Sequence, residues 1–393
     1  MVNRFPLLFF GFFLLTGGLS AQNSDSLSRE VQSWYQQATH RIEQYQFDQA
    51  LVFLTRCYRQ EPNNLDVLGK IAYCHQQMGR YQDAQLYYRE VLRQDSTQTH
   101  ALYSLATIAN QVRDYRKADD HYRKLLQLDT SNAFYYKRAA FTSLSTDDIL
   151  RAIDLFHQAY QLNRKDMEVV NQLSTIYLSL GQLGAAEKLL IEGLNQAPNN
   201  IHLLQNLARL KQKKAEHTEV VSAIERTLAL GDTTDYYQMM LGVAYLKIDS
   251  LDQGIKHLQA IVDRKADVER THYYLGLAFF YKKDFAQAEI HFLEAINRGI
   301  SPKLGDYYED LARVKLQQSD RPQAIQYYRK ALEYKEDPAT LYLLANQTDV
   351  YYRDKRIALR YYQQYLNSSD STYRADAEKR VKHLKEVVHL QRK

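Results

Sequence analysis

An all-α solenoid is the fold class this chain predicts, and three observations predict it. Small residues recur at a 34-residue spacing, each unit carries an apolar stripe of helical period, and chain breakers are scarce. Gly and Pro number 14 and 6 in 393 residues, too few for the loops of several compact domains. Apolar residues at 45% and charged residues at 25% exclude a disordered chain, because enough surface can be buried to offset the ordering entropy. The net charge of +5 raises the question of an anionic partner, which the location of the excess decides.

The first element is a leader. Residues 1–21 hold one cation, Arg4, then an apolar run at 5–15, then the mostly small stretch 16–21 before Gln22. This is the pattern of a secretory signal peptide, and its apolar core is shorter than the roughly 20 residues that cross a bilayer. The mature protein is expected to start near Gln22, to be exported, and to be periplasmic or secreted in a Gram-negative bacterium, with no transmembrane segment. Cys57 and Cys74, the two cysteines, read as small core residues; an oxidising compartment permits the alternative, a disulfide.

After a short lead at 22–30 come the repeats. Ala50, Ala84, Ala118, Ala152, Ala186, Val220, Gly254 and Ala288 are each 34 residues apart, followed by Ala324 and Ala358. They divide residues 31–372 into ten units: 31–64, 65–98, 99–132, 133–166, 167–200, 201–234, 235–268, 269–302, 305–338 and 339–372. Each unit reads as two short amphipathic helices. Leu68, Ile71, Ala72 and His75 form the stripe of one first helix, and Ala84 and Tyr88 lie on the second helix. Gly79 and Gly181 fall between the two helices, where a left-handed residue ends the first. Asn64, Asn132 and Asn200 fall between units and supply N-cap chemistry.

These residues resemble the tetratricopeptide repeat family across 31–372. Position eight of the unit is small in nine cases (Ala38, Ala72, Ala106, Ala140, Ser174, Ala208, Gly242, Gly276 and Ala312), with Asn346 the exception. Position twenty-four is large and apolar in all ten: Leu54, Tyr88, Tyr122, Phe156, Leu190, Ile224, Leu258, Phe292, Tyr328 and Tyr362. Units six, seven and ten depart from the pattern elsewhere. The resemblance implies a right-handed stack of helix-turn-helix repeats, and a groove lined by first helices through positions two, five, nine, twelve and thirteen.

On that implication the groove candidates of the first half are Tyr35, Tyr73, Gln76, Gln77, His100, Tyr103, Asn110, Gln111, Phe134, Lys137, Phe141 and Asn171. Those of the second half are His202, Gln205, Arg209, Lys213, Tyr236, Met239, Lys247, Arg270, Tyr273, Phe280, Tyr281, Arg313 and Gln317. Rings and amides suit an extended peptide. The family's carboxylate clamp needs Lys at position five and Asn at position nine. Lys137 is the one cation at position five, and Phe141 occupies its position nine, so that device is not expected.

Tyrosine is abundant at 32 residues. Tyr88, Tyr328 and Tyr362 fall at core position twenty-four, and the preceding Tyr87, Tyr327 and Tyr361 are expected to be half-buried rings spanning units rather than ligand contacts. Metalloprotease, hydrolase and phosphate-loop motifs are lacking. His383, Glu386 and His389 are spread too widely on one helix for a single ion. No enzyme, metal or cofactor is therefore expected.

Residues 373–393 predict a basic amphipathic capping helix. Ala377, Val381, Leu384 and Val388 form its apolar face. Arg374, Lys379, Arg380, Lys382, Lys385, Arg392 and Lys393 form a basic face that offers peripheral contact with anionic lipid. With this segment and Arg4 set aside, cations and anions are equal in number, so no nucleic-acid partner is expected. The expected function is a non-catalytic exported scaffold that holds a partner protein or extended segment in its groove. The alternative is a cell-envelope polysaccharide assembly or export scaffold that binds glycan.

Overall fold

The computed structural model describes residues 29–264, 269–299 and 302–390. The leader at 1–21, most of the lead, and Arg392 and Lys393 lie outside them. Among the described residues the regular elements are all α-helices, 80% of the chain, and the protein is an all-α solenoid. It divides into two compact units at Val169 and Val170.

The first unit holds α1 (Arg29–Glu43), α2 (Phe47–Gln60), α3 (Leu65–Gln77), α4 (Tyr81–Gln94), α5 (Thr99–Gln111), α6 (Tyr115–Leu128), α7 (Ala133–Leu144) and α8 (Ile149–Leu162). The division falls within α9 (Met167–Ser179). The second unit continues with α10 (Leu183–Gln196), α11 (Ile201–Lys213), α12 (His217–Ala229), α13 (Asp235–Lys247), α14 (Leu251–Asp263), α15 (Glu269–Tyr281) and α16 (Phe285–Arg298). It ends with α17 (Leu304–Gln317), α18 (Arg321–Tyr334), α19 (Pro338–Tyr351), α20 (Arg356–Leu366) and α21 (Arg374–Leu390). Helices pack as consecutive pairs: α1 on α2, α3 on α4, α5 on α6 and α7 on α8 in the first unit, and α11 on α12 through α19 on α20 in the second.

Local chemistry sets the helix ends. Asn64, Asn132 and Asn200 accept hydrogen bonds from backbone N–H groups in the first turns of α3, α7 and α11, and Asp114, Asp148, Asp284 and Asp320 do so at second helices. The turn between α19 and α20 has no left-handed residue; in the other nine of the ten pairs one closes the turn. Glycine was expected there, and Gly79 and Gly181 have φ of 73° and 72°. Seven other turns use Tyr45, Arg113, Asp147, Ala215, Asp249, Lys283 and Ser319 at φ between 57° and 65°. Packing of the two helices on either side holds these residues where their Cβ disfavours them.

The core follows from size complementarity. All ten residues at position twenty-four are buried, each a large side chain filling the gap beside a crossing that a small one permits. Ala38, Ala72, Ala106, Ala140, Ala208 and Ala312 are wholly buried opposite them. Where the small residue is glycine the approach is closer still. A Cβ on Gly254 would stand 2.5 Å from Leu246 and 3.0 Å from the Gly242 carbonyl oxygen, and one on Gly242 2.7 Å from Leu258. Among the first members of the tyrosine doublets, half-buried Tyr87 stacks on His75 at 5.7 Å and meets Tyr58 edge-on, and Tyr327 lies over Tyr308 at 6.2 Å. Cys57 and Cys74 are separate buried thiols. Burial pushes both pKa values up, that of Cys74 to about 11, which leaves them unreactive.

Helix α21 covers α20 with Ala377, Val381, Leu384 and Val388, all buried. Its basic face is smaller than the sequence suggests. Arg380 binds the Asp349 carboxylate, and Arg374 donates to the carbonyl oxygens of Leu366 at 3.0 Å and Ser368 at 3.3 Å. Two cations assigned to a surface thus fasten the helix, leaving Lys379, Lys382 and Lys385 exposed. Asp349 is buried, and beyond Arg380 its carboxylate has Lys355 at 3.5 Å. Arg380→Met is expected to cost about 1–3 kcal/mol, because a buried carboxylate then loses its donor, whereas exposed Lys382→Met should stay within about 0.5 kcal/mol. Urea midpoints of the two variants check this; equal midpoints would count against it. No helix among the described residues is long and apolar enough to cross a membrane.

Candidate binding faces

Each unit presents its own face. In the first, α1, α3 and α5 border a cavity of about 440 Å³. Tyr35, Tyr73 and His100 line it, as do Tyr88, Lys70, Gly69, Asp66 and Gln98. Tyr88 donates to Gln76 at 3.0 Å, and Phe47 meets Tyr73 edge-on at 6.1 Å. Lys70, at position six, is outside the positions that select groove candidates, and Gly69, at position five, offers no side chain to name there. A glycine interrupting an otherwise regular helix was their one sequence signal.

Further along this unit the candidates turn toward each other. Tyr103 meets Phe134 at 5.4 Å and Tyr135 at 6.4 Å, an aromatic cluster with Phe134 exposed. Asn110 donates to Thr142 at 2.9 Å, and Phe141 packs edge-on against buried Phe156 at 5.2 Å. The Lys137 ammonium lies 2.8 Å from both Asp166 and Glu168. Burial pulls its pKa down, and the two carboxylates outweigh that and hold it above the usual lysine value. These three side chains tie helices together. Gln77 and Gln111 stay exposed.

In the second unit, the Asn206 amide donates to the Asn171 side chain and to Thr175, each at 2.9 Å, and to Ser174 at 3.1 Å, while Arg209 donates to the Asn206 oxygen at 3.1 Å. Buried Asn206 is a tie that position rules do not select. Tyr236, Met239, Met240, Val243, Tyr274, Gln212 and Arg270 line a smaller cavity of about 170 Å³. Met239, a groove candidate, is buried instead, because α13 is apolar around most of its circumference. Tyr273 stacks on Tyr307 at 4.5 Å and donates to Asp310 at 3.1 Å. Burial and then the Asp310 charge raise its pKa. Burial likewise raises the Asp310 carboxyl, against the pull of Arg313 at 3.1 Å. Arg313 also lies 5.6 Å over the Phe280 ring. Lys213, Tyr236, Lys247, Arg270 and Tyr281 are exposed, and the first, third and fourth form no ion pair among the described residues.

These faces carry donors, rings and cations. Among the described residues no three His, Cys, Asp or Glu side chains are grouped to hold a metal ion. Paired helices repeated in series, with polar and aromatic side chains on their first helices, define a helical-repeat interaction protein.

The chain belongs to the tetratricopeptide repeat family. Models of that family match residues 41–108, 144–210, 239–304 and 305–338, together more than half the chain. No curated protein matches it. Similar solved structures include the Cut9–Hcn1 hetero-tetramer of the APC/C, at 13% identity over 90% of this chain and 96% of that one, with a TM-score of 0.43. PilF of Pseudomonas aeruginosa is 18% identical over 53% and 95%, with a TM-score of 0.44. YrrB, described as a TPR protein with an unusual peptide-binding site, is 16% identical over 45% and 92%, with a TM-score of 0.40.

Proposed function

We propose that the chain is an exported, non-catalytic scaffold that holds an extended segment of a partner protein against its first-helix faces. The exposure of Tyr236, Tyr281, Lys213, Lys247 and Arg270 on helices whose other faces are packed carries this reading. Rigid rings offer contact area at low entropic cost, and cations and amides serve the partner's carbonyl and carboxylate groups. Export rests on Arg4, the apolar run at 5–15 and the small residues before Gln22, and the location proposed is periplasmic or secreted in a Gram-negative bacterium.

Expression in a Gram-negative host tests the export half: an N-terminus near Gln22 in the periplasmic or culture fraction is expected, and a cytosolic product retaining Met1 would overturn it. Affinity purification from envelope extract tests the binding half, with Tyr236→Ala/Arg270→Ala as the comparison. A defined protein held by the wild type and lost by the double variant is expected. Equal retention would remove the face from the account, and capture of polysaccharide without protein would replace the partner class.

A further inference from the structure

The cavity of the first unit has features that the fold does not require. Gly69 lies inside α3, where glycine weakens a helix. A Cβ on it would meet nothing within 4 Å, so no neighbouring helix demands its absence, and the missing side chain serves to keep the cavity open. Lys70 follows. Its ammonium rests 5.2 Å from the centre of the Tyr35 ring and forms no ion pair among the described residues. Desolvation lowers its pKa, and Asp66, one turn earlier and lining the same cavity, acts on it through space. The protein thus holds a cation largely out of water with an aromatic face as its nearest compensation.

Resting on the scaffold reading above, we propose that this cavity receives an internal Asp or Glu side chain of the extended partner segment, with Lys70 as the group that binds it. The carboxylate replaces the Tyr35 ring as the partner of the ammonium and forms a charge-assisted hydrogen bond in a poorly hydrated site. A single ammonium beside a resident carboxylate suits a monoanion; a phosphate dianion meets Asp66 with one lysine to offset it. A chain terminus presents two oxygens and a main chain to be held at once, whereas a side-chain carboxylate is served by one ammonium and the solvent at the cavity mouth. The volume of about 440 Å³ exceeds a carboxylate, so an adjacent apolar side chain of the segment lies against Tyr35 and Tyr73.

Panning a phage-displayed random nonapeptide library on the purified full chain tests this. Retained sequences are expected to share an internal Asp or Glu beside an aromatic or aliphatic residue. In synthetic, C-terminally amidated peptides of those sequences, Glu→Gln should weaken binding at least tenfold. Lys70→Met should lose the same factor, and the two changes combined no more than either alone. Gly69→Leu should abolish binding with circular dichroism and melting like those of the wild type. Peptides that bind Lys70→Met and Gly69→Leu as tightly as the wild type would overturn the cavity assignment and leave the scaffold reading intact. Tighter binding of a phosphoserine peptide would overturn the carboxylate class, and binding only of peptides with a free C-terminus would overturn the internal position. A library with no retained sequence overturns the proposal outright, and the scaffold reading is then decided by the envelope purification.

Discussion

Acidification from pH 7 to pH 4 should remove about 3 kcal/mol of stability through one buried side chain, His291, and His291→Gln should abolish that component. His272 on α15 and His291 on α16 are both buried, with their Nδ1 atoms 2.9 Å apart, so one ring donates and the other accepts. Phe279 stacks on His291 at 5.4 Å, and Glu294 and Arg298 are the charged neighbours. Burial first, then the proximity of His272, brings the His291 pKa down to about 4. In the unfolded chain histidine titrates near ~6.5. Above that value both states are neutral and the full stability is present. Between 6.5 and 4 protons bind mainly to the unfolded chain, so stability falls as pH falls, and below 4 the loss is complete. Two to three units at about 1.36 kcal/mol each set the size. Carboxylates titrate in the same range, so the quantity to read is the difference between wild type and variant in urea unfolding at pH 7, 5.5 and 4. Parallel pH profiles would refute it.

Phe292→Ala, in the same pair of helices, is expected to cost about 3–5 kcal/mol, the usual penalty for emptying a phenylalanine site. Phe292 is fully buried, and its ring occupies the notch left by Gly276: a Cβ on that glycine would stand 2.7 Å from Cδ1. The two positions should therefore be strongly coupled. In the wild type, Gly276→Ala forces the ring aside and destabilises. In Phe292→Ala the same substitution meets no ring and gains helix propensity, up to about 1 kcal/mol. A reversal of sign between the two backgrounds in a double-mutant cycle is the expected result; additive effects would mean the ring and the glycine do not share the notch.

The core was legible in the sequence because its rules are steric and local. Position eight is small, position twenty-four is large, and one crossing repeats, so Tyr88, Tyr122 and Phe292 could be placed from spacing alone. The binding faces were less so. Repeat position says which face a residue is on, not whether a neighbour about one repeat away uses it. Lys137 is taken by Glu168, Asn110 by Thr142 and Tyr273 by Asp310, partners 31, 32 and 37 residues distant. Lys70 was invisible for the opposite reason, since its distinction is that among the described residues no carboxylate closes an ion pair with it. The hairpin turns show a third limit: glycine marks a left-handed residue when present, yet packing imposes the same conformation on Arg113 or Ala215 without it.

Those turns give the protein a set of attachment points. Because the flanking helices, rather than the turn residue, dictate the backbone, seven consecutive or near-consecutive pairs already carry an ordinary side chain at the bend, and Tyr45 shows how far one can project into solvent. With Cys57 and Cys74 buried and unreactive, a single cysteine introduced at Arg113, Ala215 or Lys283 would be the one thiol a maleimide dye could reach. Within each unit these bends are marks along the stack, from which the path of a bound segment can be read by distance without disturbing the faces that hold it.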